Sequence, residues 1–301
     1  MNNFEIIKQN LLKYNFNDID DCKKISEGSN SEIFLGVLNN NQVIVKMIKQ
    51  KLKYKRVANQ EFNNELNILS KTNHKNIINL IGYGNKPRLF VILEYLGQGT
   101  LTSFLKTKIN SNIKCIAIFL DIAKSLDYLH NLVSSDKMII HRDLKPDNII
   151  LSDNNEIKLL DFGLSKEVKK TDNINDVYKM SGNTGSLRYM APEVILSKPY
   201  NWSIDVYSFG IMFWQMYTKL LPFEGFSKQD MVDKVAIDRH RPSLKKIKNN
   251  EIKNLINSCW DDNLELRPTF NFIKNKLETI LSNINYETSS NDDNNCCFKL
   301  I

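Results

Sequence analysis

The stretch "IIHRDLKPDNIILSDNNEIKLLDFG", Ile139 to Gly163, decides how the rest of the chain is read. Two apolar pieces, Ile149-Ile150-Leu151 and Ile157 to Leu160, alternate with clusters of charge. Short β-branched runs between polar residues read as strands. Asp143, Lys145, Asn148 and Asp161 are therefore pinned beside segments that want burial. An Asp and an Asn at the two ends of a tight loop can face one cavity, and a second Asp on a strand that folds back can join them. Two carboxylates and an amide oxygen make a hard oxygen set, suited to Mg²⁺ and poor for zinc. Lys145 adds a cation at the same place. A site holding both Mg²⁺ and a lysine is built for phosphate.

The surrounding 301 residues are 42% hydrophobic and 25% charged, the balance of a globular protein long enough for two lobes with cores of their own. No apolar run is long enough for a membrane span. The start, "MNNFEIIKQN", lacks the basic opening and long apolar centre of a signal peptide. Five cysteines (Cys22, Cys115, Cys259 and the pair Cys296-Cys297) fit neither a disulfide framework nor a zinc spacing, so reduced thiols in a cytoplasmic setting are expected. The 41 basic and 34 acidic residues give +7, part of it in "KMIKQKLKYKR" (46–56), which reads as a solvated loop and helix start. The chain shows no pattern of bases and interleaved aromatics suited to nucleic acid, so nucleic acid is not an expected partner.

Along the chain, "FEIIKQNLLKY" (4–14) has helical spacing, and residues 24–48 read as strands. Within them "EIFLGVL" and "QVIVKMI" are joined by asparagines in the manner of a hairpin. "EFNNELNILSKT" (61–72) is helical, and "NIINLIGYG" and "RLFVILEYL" are again strand-like. After Gly97-Gln98-Gly99 the character changes, with helical periodicity over 113–131, 203–219, 227–237, 250–260 and 269–283. A strand-rich first third thus precedes a helix-rich remainder. The end, "NYETSSNDDNN", is polar and reads as disordered.

These motifs together resemble the eukaryotic protein kinases. "HRDLKPDN" is similar to the catalytic loop, "DFG" (161–163) to the metal-binding triplet, "VIVK" (43–46) to the strand bearing the nucleotide lysine, and "APE" (191–193) to the close of an activation segment. "YMAPE" and the "CW…RP" block (259–268) look most like the tyrosine-kinase-like branch of the Ser/Thr kinases. The resemblance implies an α+β, bilobal fold. A small antiparallel-sheet lobe with one helix (21–95) would precede a larger, mainly helical lobe (96–285). A helical extension (1–20) and a polar tail (286–301) would flank them. It implies ATP and Mg²⁺ as cofactors and protein substrates as partners, and leaves oligomeric state open.

Roles follow from the same resemblance. Asp143 would accept or orient the substrate hydroxyl's proton, and Lys145 would sit where charge develops. Asn148 and Asp161 would ligate Mg²⁺. Lys46 would hold phosphates, fixed by an ion pair with Glu65 that attracts by ~4 kcal/mol at ~4 Å and an effective dielectric of ~20, before desolvation. Ile25, Ile33 and Ile150 would sandwich the base, with Leu93 guarding the pocket's depth and Glu94 following it. His141, Phe162, Leu69 and Leu80 would stack between the lobes. Glu193 and Arg267 would form a buried pair, and Asp205 would hold the catalytic loop from beneath. Lys145 and Ser186 imply serine or threonine acceptors. Arg142 would receive a phosphate from Thr171, Tyr178, Ser181 or Thr184.

The chain departs from the family pattern in the glycine loop, where Ser26, Gly28 and Ser31 keep one glycine of three. Ile44 replaces the alanine expected two residues before Lys46, which should tighten the adenine pocket. The alternative to an active kinase is a catalytically weak or dead scaffold that binds ATP. A small-molecule phosphotransferase fits less well, given the "APE" platform. The tail "CCFKLI" fails the prenylation pattern because Phe298, not a cysteine, is fourth from the end.

Overall fold

The computed structural model describes residues 11–50, 55–97, 99–105, 111–152, 156–171, 173, 176–178 and 185–296, with backbone alone at 105 and from 285 on. The first lobe is a five-stranded antiparallel sheet of β1 (Asp20–Glu27), β2 (Ser31–Leu38), β3 (Asn41–Ile48), β4 (Leu80–Gly84) and β5 (Phe90–Glu94), in the order β1-β2-β3-β5-β4. One helix, α1 (Lys55–Leu69), lies against it.

Strand β3 follows the period of two that a pleated strand imposes. Val43, Val45 and Met47 are buried on one face with Phe90 and Ile92 of β5. Ile44 and Lys46, on the other, line a cleft. The β2–β3 turn places Asn39 and Asn40 at φ 50° and 64°. Such two-residue loops need positive φ at both positions, and asparagine tolerates it better than most residues.

Residues 11–14, for which the spacing predicts helix, are extended instead; 4–10 lie outside the described residues. The Tyr14 N–H donates to Tyr83 O (2.9 Å) and the Tyr83 N–H to Leu12 O (3.1 Å). The unpaired edge of β4 supplies hydrogen-bonding groups that reward a strand there. Gly82 and Gly84 open the room: a Cβ on either would lie 2.6 Å from a backbone oxygen of Leu12 or Tyr14.

The second lobe surrounds α5 (Ser203–Thr218), which follows the short helix α4 (Pro192–Ile195). Residues 203–216 of α5 are buried on every side, as in a core helix. Around it lie α2 (Leu101–Leu105), α3 (Asn112–Asp127), α6 (Lys228–Asp230, continued by a wider turn over Met231–Ile237), α7 (Asn250–Cys259) and α8 (Phe270–Cys296). Phe119 of α3 stacks on Phe213 with centroids 4.4 Å apart. The backbone of α8 stays helical to Cys296, over residues whose polarity reads as a disordered tail; no glycine or proline interrupts them. Two short antiparallel strand pairs, β6 (Lys137–Ile140) with β9 (Lys166–Lys169) and β7 (Ile149–Leu151) with β8 (Ile157–Leu159), sit under the cleft.

Helices α5 and α7 meet at Gly210, where a Cβ would lie 2.7 Å from Cys259 Cβ. Gly210→Ala should therefore cost about 1–3 kcal/mol despite alanine's better helix propensity. Urea unfolding measures it, and an unchanged midpoint would contradict the close packing.

Glu193 of α4 is fastened to Arg267. The guanidinium donates to both carboxylate oxygens at 2.6 and 3.0 Å, to Asp261 O at 2.8 Å and to Ser203 O at 3.3 Å. The two side chains are 7% and 0% exposed.

Candidate active site

The loop after β6 is held from below. Asp205, buried in the first turn of α5, accepts the backbone N–H groups of His141 (2.8 Å) and Arg142 (2.9 Å). His130 Nε2 lies 2.9 Å from the same carboxylate. Arg142 stands at φ 70°, a left-handed conformation that costs a non-glycine residue about 1–3 kcal/mol and survives only when over-determined by its surroundings.

Asp143 follows directly and is 6% exposed. Its Oδ2 accepts from Lys145 Nζ at 2.7 Å and from the Asn148 amide at 3.1 Å. Its Oδ1 accepts the Ser186 N–H at 2.8 Å, and Lys145 also reaches Ser186 Oγ at 2.9 Å. Gly185 makes this closeness possible: it sits at φ 100°, and a Cβ there would be 2.6 Å from Arg142 O. Asn148 Nδ2 is committed to Asp143, its backbone oxygen included (2.7 Å), so the amide oxygen is the atom Asn148 can offer a metal.

Above, Lys46 donates to both oxygens of Glu65 (2.9 and 2.8 Å) and to Asp161 Oδ1 (2.8 Å). Burial alone would push this ammonium down, but the charges of Asp161 and Glu65 more than offset it and hold it above the ordinary lysine range. The Lys46 charge in turn holds Asp161 at about 2, against its burial. Burial pushes Glu65 up, with Lys46 opposing. The Asp161 side chain stays 43% exposed to the cleft, and its φ of 62° is again left-handed.

A group with a depressed folded-state pKa stabilises the fold above its ordinary pKa and loses that as pH falls through the folded value. Asp161 should therefore contribute fully above 3.8 and progressively less down to about 2. Asp161→Asn should flatten that part of the acid limb of stability against pH, read by urea unfolding. An identical limb in wild type and variant would contradict the Lys46–Asp161 pairing.

The cleft between the lobes encloses about 700 Å³. All ten residues expected at the nucleotide line it: Ile25, Ser26, Gly28, Ile33, Ile44, Lys46, Glu65, Leu93, Glu94 and Ile150, joined by Asn148 and Asp161. Asp143 and Lys145 stand behind Asn148. The Glu94 carboxylate, however, is taken by the Asn79 N–H and Lys158, both at 2.8 Å, and its own N–H donates to Asn79 O at 3.2 Å. His141 and Phe162 meet at 5.1 Å between the lobes, with Leu69 and Leu80 in the same core.

Of the expected phosphate acceptors, Ser181 and Thr184 lie outside the described residues. Thr171 bonds Asn173 O, and the Tyr178 hydroxyl donates to Lys169 O at 2.6 Å. The Arg142 guanidinium donates to Leu164 O and lies 5.7 Å from the Tyr200 ring centre.

Sequence reasoning missed Asn64. Its amide donates to the carbonyls of Phe162 (3.1 Å), Gly163 (3.0 Å) and Ser165 (2.5 Å), tying α1 to the "DFG" backbone. It also missed Leu160 and Thr100 on the cleft wall. The one available signal was a polar residue next to Glu65 on an otherwise amphipathic helix.

A family model described as protein tyrosine and serine/threonine kinase matches residues 19–277. The chain is 38% identical over 268 residues to the serine/threonine-protein kinase VIK of Arabidopsis thaliana, covering 87% of this chain and 60% of the relative. It is 35% identical to the serine/threonine/tyrosine-protein kinase HT1 of the same plant, covering 85% and 64%. It is 32% identical over 295 residues to the probable serine/threonine-protein kinase gdt4 of Dictyostelium discoideum, covering 94% and 17%. The chain thus spans under two thirds of the length of each of these relatives.

Proposed function

The chain belongs to the protein tyrosine and serine/threonine kinase family, and on that footing we propose that it transfers the γ-phosphate of ATP to serine and threonine hydroxyls of protein substrates. The observation that supports this is the convergence of Lys46, Asn148 and Asp161 on one cleft, with Asp143 and Lys145 at its base.

The cleft suits the nucleotide. Its volume falls within the roughly 300–1,000 Å³ of small-molecule sites, and its apolar walls suit a flat base. Among the described residues no group of three or more His, Cys, Asp or Glu side chains is arranged to hold a metal ion. Mg²⁺ is bound through one or two carboxylates and completes its shell with phosphate and water, a demand that the hard oxygens of Asn148 and Asp161 suit. Asn148 and Asp161 would hold it. Bound there, Mg²⁺ supplies charge neutralisation at the phosphate oxygens.

The chain's own groups do the rest. Lys46, kept in place by Glu65, would bind phosphate oxygens. Asp143 would orient the acceptor hydroxyl and take its proton as the new P–O bond forms and the bond to ADP breaks. Lys145 would face the charge that develops on the transferred group. The Lys145–Ser186 contact at 2.9 Å supports a serine or threonine acceptor, because the family resemblance ties that pair of residues beside the catalytic Asp to such acceptors. No helix among the described residues is long and apolar enough to cross a membrane.

The test is incubation with γ-labelled ATP, Mg²⁺ and a basic protein substrate, followed by phosphoamino-acid analysis. Phosphoserine and phosphothreonine are expected. Phosphotyrosine alone, or no label in protein, would overturn the proposal.

A further inference from the structure

The loop over the cleft has serines where glycines would let its backbone move, yet it is anchored at its tip. Asn30 Nδ2 donates to Glu61 Oε2 on α1 at 2.8 Å, across a pocket of about 120 Å³ that Glu65 and Asp161 also line. The backbone of the tip is fixed as well: the Lys49 N–H donates to Asn30 O at 3.0 Å, and the Gly28 N–H to Ser31 O at 2.8 Å. Both flanks are ion-paired, with Lys24 joining Glu27 and Glu32 and Arg88 holding Glu32. Glu61 sits on the face of α1 that meets the "DFG" triplet, since a Cβ on Gly163 would lie 3.3 Å from its own Cβ.

We propose that the Asn30–Glu61 bond is a tether that holds the loop closed over the phosphates and couples loop closure to the inward position of α1. Asn30 and Glu61 are positioning residues in this scheme; neither touches reacting atoms. The proposal rests on the cleft being the nucleotide site. A helix held inward by Glu61 keeps Glu65, one turn further along, within reach of Lys46.

Two readouts test it. The first needs no nucleotide: amide hydrogen exchange of residues 28–33 in the ligand-free chain. Asn30→Ala and Glu61→Ala should each speed exchange there by roughly ten-fold, the worth of one hydrogen bond to a charged group after solvent screening. Glu61→Gln, which still offers an oxygen to Asn30, should stay near wild type. The double alanine variant should exchange no faster than either single one. The second is titration with a fluorescent ATP analogue and Mg²⁺, where each alanine variant should weaken binding by roughly ten-fold and Glu61→Gln should not. Unchanged loop exchange, additive effects, or a Glu61→Gln variant as impaired as Glu61→Ala would overturn the tether. Wild type failing to bind the analogue would instead overturn the nucleotide reading, whatever the exchange data show.

Discussion

Asp143→Asn will lower phosphoryl transfer by roughly 10²- to 10⁴-fold, the usual range for loss of a positioned general base, with nucleotide affinity little changed. The substitution keeps the shape of the side chain and removes its charge. The amide oxygen can still accept the Ser186 N–H that now meets Oδ1. The new NH₂ group, however, faces two donors, Lys145 Nζ and the Asn148 amide, where Oδ2 now accepts both. Lys145 should turn wholly to Ser186, its other partner. Rates of label transfer and titration with an ATP analogue separate the two effects. A variant within a few-fold of the wild-type rate would remove Asp143 from the chemistry.

Arg267→Met will produce the largest loss of stability. The guanidinium is fully buried and serves Glu193, Asp261 O and Ser203 O together. Its removal strands a buried carboxylate, which typically costs 3–5 kcal/mol, a large share of the ~5–15 kcal/mol that holds a domain together. At about 2–4 °C per kcal/mol for a chain of this size, the melting temperature should fall by on the order of 10 °C. Activity should fall as well, because α4 closes the segment that brings Ser186 to Asp143 and Lys145. Adding Glu193→Leu should recover part of the stability by removing the stranded charge. A scan of the three proteins by calorimetry decides this; a double variant less stable than Arg267→Met alone would mean that packing, and not charge, holds the joint.

Much of the candidate site was legible in the sequence because the residues that line the cleft are carried by short-range patterns. Lys46 betrays itself by breaking an apolar strand, and Asn148 and Asp161 flank the runs that become β7 and β8. The strands of the first lobe follow from alternation, and α5 from an apolar character on every side. What was not legible depends on contacts between distant segments. Asn64 reaches residues about a hundred positions away, and Asn30 meets Glu61 across 31. A polar side chain on a helix looks the same from sequence whether it faces water or another strand's carbonyls. Residues 11–14 misled in the opposite way: their spacing suits a helix, and the unpaired edge of β4 overrides it.

The central claim is that one cleft gathers the nucleotide and its divalent ion against Asp143. A crystal structure of the full chain with Mg²⁺ and a non-hydrolysable ATP analogue tests this most directly. The account predicts the metal on oxygens of Asn148 and Asp161, phosphate oxygens at Lys46, and the terminal phosphate beside Lys145 facing Asp143. A nucleotide seated outside the cleft, or a metal touching neither Asn148 nor Asp161, would contradict it.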